Sequence, residues 1–291
     1  MARFEGNPIL TPIKTHPWES RHVFNAAALH LGGRIHILYR AMGADMISRL
    51  GYASSSDGYH IDERLPNPVF EPAGPKEKYG CEDPRITVLE GKCVMTYTAY
   101  GDIYQVAITT IPIEDMLNKR WMWGERIYPF PNLKNKNAVI FPRRINSRYV
   151  MYHRLEPDIY IAYSDDLRTW NNLKRVMRTR PDSWDCMKIG AAAPPIELDE
   201  GWLLVYHGVD TKRIYRLGVA LIDKEDPEKV IYRSKEPILE PREDYERFGF
   251  VPNVVFSCGA ILHKNQLLIY YGGADTFICV ATFNLDDIIA R

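Results

Sequence analysis

A short apolar strand ending in tyrosine occurs five times along the chain, and this repeat limits the fold more than any other feature. The copies cover residues 34–39, 92–97, 148–152, 202–206 and 266–270. Successive terminal tyrosines lie 58, 55, 54 and 64 residues apart. A near-constant period of this length is typical of a fold built from repeated structural units.

Each copy is the middle of a longer pattern. An apolar segment and a turn precede it, with the segments at 25–31, 85–89, 138–145, 191–198 and 253–262. A further strand-like segment follows it, at 49–54, 104–108, 158–164, 215–220 and 277–282. Strand-like runs separated by short turns indicate hairpins, so each unit is predicted to be an antiparallel meander.

A single meander cannot bury both of its faces, whereas five meanders packed around an axis can. The sequence therefore predicts an all-β chain folded as a five-bladed β-propeller, with residues 1–291 forming one domain. A double-sheet sandwich is the alternative, but it does not account for five evenly spaced copies. Long helices are not expected; short helical turns are predicted at residues 112–117 and 286–289.

Composition excludes some classes of protein. The 37 basic and 37 acidic side chains cancel, which argues against a nucleic-acid or membrane-surface protein, and so against such partners. The five cysteines form no C-x-x-C pair, a usage that indicates a reducing compartment. No apolar run has the length of a signal peptide core or of a membrane span. We therefore predict a cytoplasmic protein.

In a propeller the first strand of every blade lines the central channel, so polar residues near the strand starts can meet at one mouth. The first strands contribute Asn25, Glu82, Asp83, Lys136 and Lys188. Positions just beyond the second strands contribute Arg40, Arg154 and His207, with Asp275 slightly further on. Distant parts of the sequence are thereby predicted to form one site.

Asp83 is the candidate acid within this set. It precedes Pro84, which fixes its own φ and favours an extended conformation at Asp83. We therefore expect Asp83 to be held rigidly at the entrance of a strand, with Arg85 close by, as suits a general acid. The alternative is a turn in which Asp83 only bonds nearby amides.

Carboxylates and cations at one mouth suggest cleavage of a glycosidic bond. An inverting hydrolase needs a second carboxylate about 6.5 to 9.5 Å from the acid to activate water, whereas a phosphorolytic enzyme needs cations to hold phosphate. Lys136, Arg154, Lys188 and His207 make the predicted site richer in basic groups than in spare acids. This favours inorganic phosphate as the co-substrate.

Alternative interpretations apply to several of these residues. Lys136 is also consistent with a solvated loop, and Arg154 with an ion pair to Glu156 or Asp158. Tyr79, Trp184 and Tyr215 could stack on sugar rings, although such aromatics are more often packing residues. No zinc, α/β-hydrolase or nucleotide-binding motif is present, so no metal or organic cofactor is predicted.

A series of short motifs, in this order, carries a family resemblance. They include Phe-Asn-Ala-Ala at 24–27, Glu-Asp-Pro-Arg-Ile at 82–86, Met-Tyr-His-Arg at 151–154, Tyr-His-Gly at 206–208 and Tyr-Gly-Gly-Ala-Asp at 271–275. Over nearly its whole length the chain resembles glycoside hydrolase family 130, the β-mannoside phosphorylases and related mannosidases.

The resemblance implies a five-bladed propeller and inverting phosphorolysis of a β-mannoside to α-mannose 1-phosphate and a shortened sugar. It implies that Asp83 is the general acid, acting through the mannose 3-hydroxyl. It matches Lys136, Arg154, Lys188 and His207 to phosphate-holding positions. Asn25, Arg40 and Asp275 match sugar-contacting positions, and Glu82 and Tyr215 complete the set expected to contact substrate.

The Glu82-Asp83 pair and the short chain look most like the group acting on β-1,2-mannobiose or short β-1,2-mannooligosaccharides. β-1,4-mannooligosaccharides and mannosyl-glucose remain open as substrates. Two other functions also remain open. One is a β-mannosidase that uses water with Glu82 or another acid as base, and the other is a non-catalytic sugar-binding propeller. The sequence permits a homo-oligomer without predicting one.

Overall fold

The computed structural model describes residues 1–289, and strands make up most of its regular structure. In chain order the strands are β1 (Ala2–Arg3), β2 (His22–Leu31), β3 (Arg34–Met42), β4 (Ser48–Ser55), β5 (Glu63–Arg64), β6 (Gly80–Leu89), β7 (Lys92–Tyr100), β8 (Tyr104–Pro112), β9 (Lys136–Ile140), β10 (Tyr149–Leu155), β11 (Asp158–Ser164), β12 (Asn171–Met177), β13 (Lys188–Ala191), β14 (Ile196–Glu197), β15 (Trp202–Val209), β16 (Tyr215–Ile222), β17 (Val230–Arg233), β18 (Val255–His263), β19 (Gln266–Gly273) and β20 (Phe277–Asn284).

The helices are short: α1 (Ile113–Leu117), α2 (Asp244–Arg247), α3 (Leu285–Ile289) and two 3-10 turns at Pro17–Glu19 and Pro75–Glu77. The predicted all-β class is confirmed, and α1 and α3 occupy the predicted helical turns. Across residues 1–289, no helix has the length and hydrophobicity needed to span a bilayer.

Five antiparallel meanders form the framework, and we call them units one to five. Their strands are β2-β3-β4, β6-β7-β8, β9-β10-β11, β13-β15-β16 and β18-β19-β20. Units three, four and five each gain an outer strand, β12, β17 and β1 respectively. One short parallel pairing, between Ser48 and Gly80, joins units one and two into a single sheet. The predicted order of hairpins along the chain is thus present in the structure.

The hydrophobic core lies between successive units. Separate apolar clusters join unit one to two, two to three, three to four and four to five. A further cluster joins unit five back to unit one, and it includes Tyr39 and Tyr270. Each unit therefore buries its apolar faces against its neighbours, as a β-sheet with apolar faces must do to be stable.

Four units also share a buried polar arrangement that we call the tyrosine–carboxylate–arginine clamp. A tyrosine hydroxyl donates to a buried carboxylate in the pairs Tyr39–Glu19, Tyr97–Glu77, Tyr206–Asp185 and Tyr271–Glu246. The same carboxylates form ion pairs with Arg64, Arg126, Arg233 and Arg3 respectively. Burying a carboxylate without these partners would destabilise the folded protein. We therefore expect the tyrosine, carboxylate and arginine of each clamp to depend on one another.

Two predicted first strands were wrong in extent. The segment predicted at 138–145 forms only β9, which ends at Ile140, because Pro142 lies just beyond. The segment predicted at 191–198 is split between β13 and β14, with Pro194 and Pro195 between them. Proline has no N–H to donate to a strand neighbour, which explains both interruptions.

The backbone at Asp83 also differs from the prediction. Asp83 is not extended: its φ is 51°, and the pairing of β6 with β7 shifts register between Glu82 and Arg85. Asn25 (φ 51°) and Asn137 (φ 58°) have the same left-handed conformation in the first strands of units one and three. Asn and Asp tolerate this conformation better than most residues. A β-bulge that redirects the side chain has overridden the local preference before proline.

Candidate active site

A cavity of about 270 Å³ lies near the starts of the five first strands. Each first strand contributes one lining residue: Asn25, Asp83, Lys136, Lys188 and Phe256. The rest of the lining is Arg40, Tyr104, Arg154, Glu156, Tyr215, Val251, Val254 and Asp275. The structure therefore brings eight of the ten predicted site residues to one cavity, and Glu82 and His207 lie outside its lining.

Asp83 is a buried carboxylate held by two neighbouring side chains. Its Oδ1 accepts hydrogen bonds from Asn25 Nδ2 at 2.8 Å and from an Arg40 guanidinium nitrogen at 3.1 Å. Burial alone would raise the pKa of Asp83, but the charges of Arg40, Lys136 and Arg85 outweigh it and lower that pKa below its usual value. The protein's own cations thus favour the ionised form of Asp83.

Arg40 connects the two predicted acids. It donates to Glu82 Oε1 at 2.7 Å as well as to Asp83, and its Nε donates to Ser48 Oγ at 2.8 Å. Its guanidinium lies 4.6 Å from the centre of the Phe24 ring. Glu82 is only 8% exposed and sits behind Arg40. In this structure Glu82 fixes Arg40 and does not face the cavity.

Asp275 is a second carboxyl group in the cavity, and its environment also shifts its pKa. It lies in a left-handed backbone conformation, with φ of 50°. Burial raises the pKa of Asp275 to about 7, although Arg40 opposes this, and the charge of Asp83 adds to the increase. Two nearby carboxyl groups of unlike pKa can hold one proton between them near neutral pH.

The basic side chains Lys136, Arg154 and Lys188 are clustered in the cavity, and the charge of Glu156 only partly opposes the effects of burial on Arg154 and Lys188. Within the part of the chain that the structure describes, none of the three forms an ion pair. Burial lowers the pKa of Lys188, and the charge of Arg154 lowers it further. Burial likewise lowers the pKa of Arg154. These shifts mean that the protein alone does not compensate the positive charges well, so the cluster favours an anion.

His207 lies beneath the cavity and contributes no charge to it. Its Nε2 is 3.3 Å from Asn137 Nδ2 and 3.4 Å from a guanidinium nitrogen of Arg154. Burial lowers the pKa of His207 well below its usual value, and the neighbouring charges of Arg154 and Arg85 lower it further. The neutral ring of His207 is therefore favoured. Its position supports Arg154 from behind.

Arg85 ties three units together under the site, a role that the sequence did not reveal. It is only 1% exposed and donates to the backbone oxygen of Asp83 at 2.9 Å. It also donates to Asn137 Oδ1 at 3.3 Å and to the backbone oxygen of Ala192 at 2.9 Å. Asp83 is thereby fixed relative to units three and four.

Sequence reasoning also missed Tyr104, Glu156 and Phe256 as lining residues. A usable signal existed for Tyr104, because it begins β8 in unit two as Tyr215 begins β16 in unit four. The parallel extends to their contacts: Lys136 Nζ lies 5.3 Å from the Tyr104 ring centre, and Lys188 Nζ lies 5.5 Å from that of Tyr215. Because the two tyrosines hold equivalent positions in the repeat, recognising one as a lining residue predicts the other.

The structure also decides between the alternatives for single residues. Lys136 begins β9 and is not in a solvated loop. Asp158 pairs with Arg175 at 3.2 Å, and among residues 1–289 Arg154 pairs with neither Asp158 nor Glu156. Trp184 stacks on Tyr206 away from the cavity lining, with ring centres 5.5 Å apart.

Residues 1–289 contain no group of three or more His, Cys, Asp or Glu side chains arranged to hold a metal ion. Comparisons with known proteins identify the family of the chain. The sequence matches the family described as beta-1,4-mannooligosaccharide phosphorylase, glycoside hydrolase family 130, over residues 2–290. The chain belongs to glycoside hydrolase family 130. The predicted family is therefore confirmed.

Three relatives indicate where in this family the chain falls. It is 42% identical to a 1,2-beta-oligomannan phosphorylase of Thermoanaerobacter sp. (strain X514), over 99% of this chain and 98% of the relative. It is 44% identical to a beta-1,2-mannobiose phosphorylase of the same strain, with the same coverage. The structure of the beta-1,2-mannobiose phosphorylase from Listeria innocua, in complex with beta-1,2-mannobiose, superimposes with a TM-score of 0.87 at 27% identity, covering 99% of this chain and 98% of that one.

Proposed function

We propose that this family member is an inverting glycoside phosphorylase. It cleaves β-1,2-mannobiose or short β-1,2-mannooligosaccharides with inorganic phosphate to give α-D-mannose 1-phosphate and the shortened sugar. The observation that carries the proposal is the juxtaposition of Asp83 with Lys136, Arg154 and Lys188 in one cavity. The relatives that act on β-1,2-mannosides support the choice of linkage. β-1,4-linked substrates are the alternative.

The cation cluster supports phosphate as the nucleophile. A phosphate dianion would supply the negative charge that Lys136, Arg154 and Lys188 lack, with Arg154 offering two N–H groups and each lysine a point charge. A phosphate oxygen attacks the anomeric carbon from the face opposite the leaving sugar. The bond from that carbon to the glycosidic oxygen breaks, and the oxygen receives a proton. Configuration at the anomeric carbon is thereby inverted.

Asp83 is the proposed source of that proton, delivered directly or through the mannose 3-hydroxyl. The lowered pKa of Asp83 must first be offset, because an acid has to be protonated before it can donate. Phosphate bound to the cation cluster would offset the charge of Lys136, one of the three cations that hold the pKa of Asp83 down. Asp275, with a pKa of about 7, would hold a proton nearby at neutral pH. Phosphate binding thus prepares the acid as well as supplying the nucleophile.

Hydrolysis is the less favoured alternative. Of the acids open as its base, Glu82 is bound to Arg40 at 2.7 Å and does not line the cavity, whereas Glu156 and Asp275 do line it. A base that activates water must reach the far side of the sugar from the general acid. We therefore assign Glu82 to holding Arg40, which, together with Asn25, Tyr215 and Asp275, is proposed to contact the mannose.

We further infer that the five units form a single five-bladed propeller domain over residues 1–291. Two observations support this arrangement. Apolar clusters link each unit to the next and unit five back to unit one, and all five first strands contribute to one cavity. We also propose that the protein is cytoplasmic and that it needs no cofactor, with phosphate as its co-substrate.

The test is to incubate the purified protein with β-1,2-mannobiose, with and without inorganic phosphate, and to assay both α-mannose 1-phosphate and free mannose. We expect the two products in equal amounts, only when phosphate is present. Two mannoses per disaccharide regardless of phosphate would instead establish a mannosidase. Measurable binding with no product from β-1,2- or β-1,4-mannobiose would indicate a non-catalytic sugar-binding protein.

A further inference from the structure

Some exposed aromatic side chains lie close to the cavity lining, since Tyr100 pairs in the sheet with the lining residue Tyr104. Of the phenylalanine, tyrosine and tryptophan residues that the structure describes, four are exposed, and they form two sequence-local pairs: Tyr79 (49%) with Tyr100 (39%), and Phe248 (63%) with Phe250 (48%). The tyrosines flank the outer ends of β6 and β7, and the phenylalanines precede the lining residue Val251. Aromatic side chains exposed beside a polar cavity indicate a surface that contacts a ligand.

The two tyrosine rings lie side by side and form a platform on a fixed backbone. Their ring centres are 5.2 Å apart with an angle of 53° between the planes, and the Tyr79 N–H donates to the Tyr100 backbone oxygen at 2.8 Å. Gly80 follows Tyr79 with φ of 136°, and a Cβ on it would lie 2.6 Å from Ser48. This close approach requires glycine and fixes the backbone that carries Tyr79. The platform is therefore set before any ligand arrives.

The platform also lies in line with the proposed acid. Strand β6 runs outward from Asp83 through Glu82 and Cys81 to Gly80, which pairs with Tyr100. At about 3.3 Å per residue this is roughly 10 Å along the strand. The sugar residue that leaves after cleavage must lie beside Asp83, so a side chain this much farther along β6 is better placed to contact residues farther along the glycan.

We propose that Tyr79 and Tyr100 form an outer subsite that binds the leaving part of a mannooligosaccharide beyond the residue next to the scissile bond. The inference rests on the proposed function and adds to it a preference for longer chains. Tyrosine suits this role because its ring packs on the C–H faces of a pyranose while its hydroxyl bonds to sugar hydroxyls. The phenylalanine pair is less suited, since it lacks hydroxyls and Phe250 already packs on His22 at 4.6 Å.

The proposal is tested by comparing kcat/KM for β-1,2-mannobiose and β-1,2-mannotetraose in Tyr79→Ala and Tyr100→Ala. We expect a loss of roughly 3- to 10-fold with the tetrasaccharide, the scale of one aromatic contact, and less than a twofold change with the disaccharide. Tyr79→Phe, which keeps the ring and removes only the hydroxyl, should lose less of the tetrasaccharide rate than Tyr79→Ala. Phe248→Ala, which removes another exposed aromatic side chain from the rim, should leave the ratio of the two rates unchanged.

Equal losses with both sugars, or no loss with either, would overturn the proposal. So would a change of oligomeric state in the variants, measured by light scattering, since the tyrosines would then be a subunit contact. If the wild type forms no sugar phosphate from any β-mannoside, the proposed function fails separately. Calorimetric binding of mannotetraose to wild type and Tyr79→Ala still decides the subsite, because equal affinities would reject it.

Discussion

The cation cluster predicts opposite effects on stability with and without phosphate when Lys188 is replaced by methionine. Burial and the charge of Arg154 lower the pKa of Lys188, which means that its charged form is disfavoured in the folded protein alone. Methionine keeps most of the apolar stem and removes the charge. Without phosphate, the variant should therefore melt at a higher temperature than the wild type.

With phosphate, the order should change. A ligand at 100 times its dissociation constant stabilises the folded state by about 2.7 kcal/mol. For 291 residues the unfolding entropy is about 0.6 kcal/mol/K. These values give a wild-type increase in Tm of about 4 °C, and Lys188→Met should lose most of it. The assay is thermal denaturation in phosphate and in chloride at matched ionic strength.

Lys92→Met is the matched control, because Lys92 is exposed and pairs with Leu89 at the end of the β6–β7 hairpin opposite Asp83. It should keep the full phosphate-induced shift. The reasoning would be refuted if Lys188→Met melted below the wild type without phosphate, or if it kept the wild-type response to phosphate. Either result would mean that Lys188 is already compensated within the protein.

Three further predictions follow from the site and the clamps. Asp83→Asn should keep the wild-type circular dichroism spectrum and lose roughly 10²- to 10⁴-fold in turnover; near-normal release of sugar phosphate would contradict its role as acid. Tyr97→Phe removes a hydrogen bond to the buried Glu77 carboxylate, so it should lower stability by about 1.5 to 3 kcal/mol, about 2 to 5 °C in Tm, with kcat unchanged; an unchanged Tm would contradict the clamp. Burial raises the pKa of Asp275 from 3.8 to about 7, so the folded protein holds a proton that the unfolded chain releases, and this contribution to stability is lost as pH rises from about 4 through 7. Asp275→Asn should therefore gain more stability relative to wild type at pH 8 than at pH 5 in denaturant titrations, and equal differences at both would contradict the shift.

The repeat of tyrosine-ended strands was sufficient to predict the meanders and most of the cavity. Strand order fixes which residues begin each unit, so Asn25, Asp83, Lys136 and Lys188 could be grouped although they lie far apart in sequence. The repeat did not determine how far each side chain lies from the cavity surface. Glu82 and His207 occupy equivalent register positions to lining residues, yet Arg40 covers one and Arg154 covers the other. Side-chain packing between units decides which of these residues line the cavity, and this packing cannot be read from a single sequence.

The clamps, by contrast, left a signal that was not used. Glu19, Glu77 and Asp185 each lie three residues before the first strand of their unit. The spacing from Glu19 to Glu77 equals the 58 residues from Tyr39 to Tyr97. An acid that recurs with the period of a buried tyrosine predicts a shared partner. The arginines could not be found in this way, because Arg64 and Arg126 come from connecting segments of unequal length.

The bulges indicate why a repeated strand can build one asymmetric site. If the fold alone required a left-handed residue near each strand start, unit four would have one, but β13 pairs regularly with β15 from Lys188 to Ala191. Bulges place Asn25, Asp83 and Asn137 where their side chains meet: Asn25 donates to Asp83, and Asn137 lies between Arg85 and His207. In unit four, Gly190 has no side chain and so leaves room for its neighbours, since a Cβ there would lie 2.5 Å from His207 and 2.6 Å from Asn137. A left-handed residue other than glycine costs roughly 1 kcal/mol or more. The left-handed residues inside the first strands of units one, two and three, at the acid and its supports, are therefore best explained by the site.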